Sequence, residues 1–531
     1  MSARPSVLDP LRKGAFRWLW LGMLVSGLGM WAQSIGAQWL FINDPNAATI
    51  VSLVAGATAL PAMIFALPAG VMSDAFDRRQ LMIWMQVYSI IVSALLALLT
   101  WRGLVPPALL LGFTFAIGAS MAMQFPTWQP LITELVPRDQ ISSATQLDMV
   151  NVNVSRAIGP AIAGLIITRW GVPPVFAFTA LSTTVLLAAL LMWRRPRAVL
   201  PAREQFLPAL RAGGRYVRHE PVVRLLCGRV AMFIAPGSAM WALLALIANR
   251  GLGLNADGYG VLYAGLGLGA ILGALTLGRL RRRMSGNVVL TASALAYAAS
   301  MAGLVLVHSL LPAFPLLILA GYCWSAQLAT LASELQLYLP NWVRARALAV
   351  YMMTFMGAQA LASPVWGIIA QRAGVATAIL VAAALVAASG LLGLWLRIPE
   401  NRNLDRAPLA YWGDADLAVQ PEPDAGPVQI VVEYTVTPDK VAGWLDAMDD
   451  VRRSRLRSGA NRWEVYAVGE RPGTYVEVFT VGTWGEHARQ HDHRLTAQDQ
   501  AAEDLAFSVC SAPPQTVHLV PPTSQVRGAE S

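Results

Sequence analysis

The chain has 531 residues, of which 56% are hydrophobic and 13% charged, whereas soluble globular domains carry about a quarter charged. Its formal charge of +9 does not form the single basic stripe of a nucleic-acid binder, because the arginines bracket apolar runs. Three cysteines, Cys227, Cys323 and Cys510, give no disulfide framework, so the composition points to lipid and excludes a nucleic-acid partner.

The first basic cluster, Arg12, Lys13 and Arg17, leads into an apolar stretch ending near Ile42. It is too long for a signal-peptide core and lacks a small-residue cleavage site, so a retained first helix is expected. Apolar runs of roughly twenty residues are what a helix rising 1.5 Å per residue needs to cross about 30 Å of hydrocarbon. Such runs predict spans near 17–42, 50–73, 80–101, 105–126, 143–169 and 174–194, then 223–249, 257–280, 287–308, 312–335, 343–371 and 375–397.

Lys and Arg accumulate on the cytoplasmic side of membrane helices. With both termini inside, the cytoplasmic segments hold Arg78, Arg79, Arg138, the run from Arg194 to Arg224, Arg279, Arg281, Arg282, Arg283, Arg344, Arg346 and Arg397. The outer loops then hold only Arg102, Arg169, Arg250 and Arg372. A multi-pass protein of a bacterial-type inner membrane is therefore expected.

The two sets of spans read as a repeat. ELVPRDQISSATQL precedes the fifth span and LYLPNWVRARALAV the eleventh, and each of these spans carries a proline, Pro160 and Pro364. The expected division is a first six-helix half at 1–194, a central cytoplasmic loop at 195–222 and a second half at 223–399. In the central loop, Phe206, Leu210 and Tyr216 either form an apolar face for an anionic membrane surface or belong to a solvated linker.

Beyond Pro399 the composition turns polar, with a linker at 400–427, a soluble domain at 428–521 and an expected disordered tail at 522–531. Strand-like alternation at 428–436, 463–468, 475–481 and 517–520, helical spacing of Val441, Trp444, Leu445, Met448 and Val451, and a helix near 484–507 predict a β-α-β-β-α-β ferredoxin-like domain. His487, His491 and His493 are expected to be exposed helix histidines, so neither a metal site nor a cofactor is assigned.

The link after the second span reads GVMSDAFDRRQL, with Gly70, Asp74, Arg78 and Arg79. It resembles the loop signature of the major facilitator superfamily, although Asp77 stands where a glycine is common. The fifth span contains NVSRAIGPAIAG, whose Gly159, Pro160 and Gly164 resemble the Gly-Pro motif of exporting members of that superfamily. With PTWQPLITELVPRD and YMMTFMGAQALASPVWG, these stretches look like its enterobactin-exporter-like branch. The resemblance implies an all-α polytopic fold of twelve transmembrane helices in two halves, and the appended domain resembles antibiotic-biosynthesis-monooxygenase domains.

The candidate coupling and substrate residues are Asp148, Arg156, Asn151, Asn153, Gln33 and Gln38, because polar groups inside spans are costly and mark function. Asp148 is either a hydrated helix-end residue or a coupling group. Eight residues separate it from Arg156, about 12 Å along the axis and some 80° around it, so the two are not expected to pair. Asp74 is expected to meet the start of the eleventh span and act as a conformational switch.

Only Lys13 and Lys440 are lysines, and neither sits in a phosphate-binding Gly-rich loop. The expectation is a non-enzymatic secondary transporter, coupled to protons, that exports a small amphipathic or siderophore-like molecule by alternating access. Its expected partners are that molecule, protons and membrane lipid. The appended domain is left as a catalytic, a regulatory or a homodimerising module.

Overall fold

The apolar runs, bounded by glycine, proline and arginine, fold as helices. The computed structural model describes residues 8–193, 206–399, 409, 412, 417 and 421–522, except the side chains of 66, 67, 71, 74, 75, 206–212, 341 and 493. The first six helices are α1 (Gly14–Trp39), α2 (Ala47–Ala75), α3 (Arg78–Trp101), α4 (Pro107–Leu135), α5 (Ile141–Trp170) and α6 (Pro173–Met192). A shorter helix, α7 (Phe206–His219), precedes the second six, α8 (Pro221–Leu246), α9 (Ala256–Arg283), α10 (Gly286–Leu306), α11 (Leu310–Tyr338), α12 (Asn341–Ala373) and α13 (Val375–Leu392).

Among the described residues, eleven helices are long and apolar enough to cross a membrane. The twelfth, α1, has 26 residues and buries Ser26, Gln33 and Gln38, because it packs against α5 and α6. Glycine ends α5 and precedes α13 where the backbone turns left-handed, with φ of 82° at Gly171 and 90° at Gly374, a region that a Cβ disfavours. Interior prolines such as Pro61, Pro126 and Pro160 stay within continuous helices, as neighbouring helices in a membrane bundle permit.

The chain forms two compact units. The first comprises Met1–Arg203, Cys227–Leu331 and Tyr351–Ile398. In it α1 packs on α5 and α6, α2 on α4, α3 on α6, α10 on α13, and α5 on α9. One apolar cluster gathers Phe16, Leu19, Met82, Trp128, Leu147 and Leu190 from five of the first six helices.

The second unit comprises Glu204–Leu226, Ala332–Val350 and Pro399–Ser531. Its sheet contains β1 (Val428–Thr435), β2 (Ala460–Ala467), β3 (Thr474–Val481) and β4 (Gln515–Leu519) in the order β2-β3-β1-β4. All three pairings are antiparallel, with Val428 opposite Val481 and Glu433 opposite Gln515. The helices are α14 (Val441–Ser458), α15 (Trp484–Arg489) and α16 (Ala497–Ser508), which completes the ferredoxin-like order.

The helix expected at 484–507 is interrupted. A π-helical turn, Gln490–Arg494, follows α15, and α16 starts afresh at a capping box in which Thr496 and Asp499 exchange hydrogen bonds. The domain core is Ile430, Val432, Tyr434, Trp444, Met448, Val451 and Phe479. Behind it, the buried Glu477 accepts hydrogen bonds from Arg455 Nε at 3.0 Å, Tyr434 Oη at 2.7 Å and Trp463 Nε1 at 2.7 Å.

Helix α7 packs on α14. Tyr216 is buried with its ring edge-on to Trp342, so protein covers the Tyr216 side of this helix, while the Phe206 and Leu210 side chains lie outside the described residues. Glu220 accepts from Tyr338 Oη at 2.5 Å and from Arg457 Nη1 at 2.7 Å. Arg215 reaches Asn461 at 2.7 Å and Glu486 at 3.2 Å.

Candidate functional site

The polar residues of α5 diverge. Asp148 is 5% exposed and faces α4, accepting from Trp128 Nε1 at 2.8 Å and from Gln129 Nε2 at 3.0 Å. These two donors fix both carboxylate oxygens, so Asp148 is a buried, hydrogen-bonded group and not a hydrated helix end. Asn151 and Ser155 instead tie α5 to α1, donating to Trp20 O at 3.0 Å and Leu24 O at 3.3 Å. Asn153 bonds back to Met149 O of its own helix at 2.8 Å.

Two turns beyond Asp148, Arg156 lies with its guanidinium carbon 5.2 Å from the Trp31 ring centroid, within the range of a cation–π contact. It makes no hydrogen bond or ion pair among the described residues, and its Nε is buried without a partner. Pro160 has no N–H to offer the carbonyl of Arg156 four residues earlier, so that carbonyl also lacks its helical partner. The site thus holds a fixed cation beside an uncommitted backbone acceptor.

Glycine brings the helices around Arg156 together. A Cβ on Gly159 would stand 2.7 Å from Trp31 Cβ and 2.8 Å from Leu28 O. On the opposite side, a Cβ on Gly260 would stand 2.6 Å from Pro160 O and one on Gly267 2.8 Å from Ala157 Cα, while one on Gly164 would strike Ala256 O. These approaches join α5 to α9 across the two halves, from the end bearing Trp170 to the middle of the helix.

The second half faces this place with aromatic rings. Tyr263 of α9 lies 6.1 Å from Trp31 and 5.5 Å from Trp241 of α8, ring centre to ring centre. Trp324 of α11 is 5.3 Å from Trp241 and packs further against Phe233, Tyr297 and Phe355. A cation and a connected set of large rings can hold a molecule that is itself aromatic and negatively charged. The sequence signal missed here is aromatic: Trp241, Tyr263 and Trp324 lie in separate spans, and nothing in their spacing shows that they meet.

The two glutamines of α1 lie in the bundle interior. Gln38 accepts from Tyr259 Oη at 2.9 Å while Trp39 stacks on the same tyrosine at 5.6 Å, and Gln33 is buried in α1. Arg229 is also held inside the bundle, bonding Asn287 Oδ1 at 3.1 Å and Leu396 O at 3.4 Å.

The link after α2 departs from the expected loop. Gly70 lies inside α2, with open space where a Cβ would stand. Helix α2 outruns the apolar run that marks its span and continues through Ala75, so the link shrinks to Phe76 and Asp77. Asp77 caps α3, its Oδ1 accepting from Gln80 N at 2.9 Å. Arg78 pairs with Glu134 at 3.0 Å, and Arg79 donates to Leu190 O at 2.9 Å and Leu191 O at 3.1 Å at the end of α6. The Asp74 side chain lies outside the described residues.

A family profile described as a transmembrane secretion effector matches residues 5–526. A staphyloferrin A transporter of Staphylococcus aureus is 21% identical over 327 residues, covering 61% of this chain and 82% of that protein. An enterobactin exporter of Escherichia coli O1:K1 is 31% identical over 192 residues, covering 36% of this chain and 43% of that protein. Among solved structures, a bacterial homolog of the human lysosomal transporter Spinster, inward-facing and unoccupied, aligns with a TM-score of 0.57 at 16% identity, covering 73% of this chain and 96% of that one.

Proposed function

The chain belongs to the transmembrane secretion effector family of the major facilitator superfamily and is a membrane transporter, and from that premise we propose that it exports a small, anionic, aromatic or amphipathic molecule of the siderophore kind. The observation that carries this reading is Arg156, a cation without a hydrogen-bonded partner among the described residues, lying over Trp31 beside rings from the second half. A catechol or carboxylate group would satisfy the guanidinium, while its ring or acyl body would rest on the aromatic set. The siderophore relatives support the same substrate chemistry.

Alternating access would proceed by rocking the two halves. With both termini in the cytoplasm, the orientation favoured by the loop arginines, the glycine approaches between α5 and α9 close the outer end. This arrangement then corresponds to the stage that takes substrate from the cytoplasm. We assign proton coupling to Asp148, the buried carboxylate of the helix that also carries Arg156. The second unit is read as a regulatory module, since α7 and the α11–α12 turn share it with the ferredoxin-like domain.

Everted membrane vesicles test this directly. A catecholate and a citrate-type siderophore are offered with and without an imposed proton gradient. Gradient-driven uptake that is lost in Arg156→Gln is the expected result. Uptake of neither compound class, or uptake indifferent to Arg156, would overturn the substrate reading, and uptake without any response to the gradient would overturn proton coupling.

A further inference from the structure

The ferredoxin-like domain contains a histidine cluster outside the proposed transport site. His487 lies on α15 and His491 on the π-helical turn that follows, four residues apart. His518 comes from β4, opposite Ile430 in the pairing with β1. Each ring offers a ligand nitrogen, and the three nitrogens all lie within 4.8 Å of one another. His493, which belongs to the same sequence run, has its side chain outside the described residues.

His487 is 1% exposed, and its Nε2 has no hydrogen-bond partner among the described residues. Its Nδ1 faces Gln490 Oε1 at 3.3 Å. The orientation of that amide is fixed, because Gln490 Nε2 donates to Ser458 Oγ at 2.7 Å and Ser458 Oγ donates to Ser454 O at 2.8 Å. An amide oxygen only accepts, so Nδ1 carries the proton and Nε2 keeps its lone pair. A hydrogen bond that fixes the far nitrogen of an imidazole is the usual support of a metal-ligating histidine.

Trp412 lies edge-on to His491 at 4.5 Å and Trp484 edge-on to His518 at 5.8 Å, so aromatic rings shield the cluster. Deeper in the domain, Arg455 is matched by two buried carboxylates, Glu477 and Glu503, which leaves a net negative charge. Glu503 also accepts from Trp412 Nε1 at 2.8 Å, tying this charge to the ring that packs on His491.

We propose that His487, His491 and His518 bind one divalent transition-metal ion of the zinc type, with water completing the coordination. Neutral imidazoles suit zinc and its neighbours, whereas calcium and magnesium require oxygen ligands. A tetrahedral ion with bonds of about 2.0–2.1 Å holds its nitrogens roughly 3.3 Å apart, so binding would draw together rings whose nitrogens now lie within 4.8 Å of one another. Three protein ligands leave one position open to solvent or to a small ligand.

The full chain, purified in detergent without a polyhistidine tag and stripped with chelator, is titrated with Co2+. Uptake of one equivalent with visible ligand-field absorption, displaced by Zn2+, is expected. His518→Gln and His491→Gln should each weaken binding on the order of 100-fold, while His308→Gln should leave it unchanged. His518→Cys should keep the ion and add a thiolate-to-cobalt absorption band, a gain that misfolding cannot imitate. Failure of the folded native chain to bind Co2+, full binding by His518→Gln, or a folded His518→Cys variant without the new band would each refute the site.

Discussion

Arg156 and Asp148 lie on one helix, yet they face different neighbours. A guanidinium over an indole is worth about 0.5–2 kcal/mol, the upper end when water is excluded. Arg156→Lys keeps the charge but loses the planar fork, and we expect it to weaken substrate binding roughly tenfold, at about 1.4 kcal/mol per decade. Equilibrium binding to the purified protein measures this, and unchanged affinity would remove Arg156 from the site.

For Asp148, two substitutions separate structure from coupling. Asp148→Asn can still accept the Trp128 Nε1 hydrogen bond and should fold normally, but it cannot cycle a proton. Gradient-driven accumulation should vanish while substrate exchange persists in proteoliposomes. Asp148→Ala leaves the buried Trp128 Nε1 without its partner, which costs about 1–3 kcal/mol and should lower the unfolding temperature. Uphill transport by Asp148→Asn with normal pH dependence would move the coupling site elsewhere.

At the level of elements, α5 and α9 approach closely where α9 presents glycine. The Gly260 approach of 2.6 Å to Pro160 O leaves no room for a methyl group. Gly260→Leu should therefore hold the two helices apart and favour the state open at the Trp170 end. Cysteine labelling from that side should increase, and unchanged labelling would mean that this contact does not gate access.

The junction of α7, α14 and α16 is electrostatic. Arg457 bridges Glu220 and Asp499, each at 2.7 Å. Burial pushes the Asp499 carboxyl up, but Arg457, Ser454 and Thr496 outweigh it and hold the group below its usual range. The folded form therefore binds its proton less readily than the unfolded form. The resulting stability is fully present above the ordinary carboxylate pKa of about 3.9 and is lost as pH falls through the depressed folded value. Hydrogen exchange in α7 and α16 should rise below about pH 4. Arg457→Ala should produce this loosening at neutral pH, because removing one member of a buried ionic group costs about 3–5 kcal/mol.

At the scale of the whole molecule, every membrane helix ends before the ferredoxin-like domain begins. Truncation after Arg406 should leave export above background in vesicles, while exposing Tyr216 and Glu220, which the domain's unit buries. Faster exchange in α7 with retained transport is the expected pair of results. Total loss of transport with normal membrane insertion would make the domain part of the transport machinery.

The sequence by itself determined the helix count and the plan of two halves, because bilayer thickness sets the length of each apolar run and loop arginines mark one side. Alternating apolar residues and helical spacing likewise fixed the order of elements in the appended domain. The break between α15 and α16 was also written there, in the spacing of Thr496 and Asp499, but the apolar pattern concealed it. Tertiary structure alone decided what touches what. It set Arg156 against Trp31 and Tyr263, gave both oxygens of Asp148 to α4, and placed Gly70 inside a helix. It also brought His518 to His487 and His491 through the register of an edge strand. Periodicity records which way a residue faces along its own element, whereas a site arises where faces of distant elements meet, and that depends on packing that no local pattern encodes.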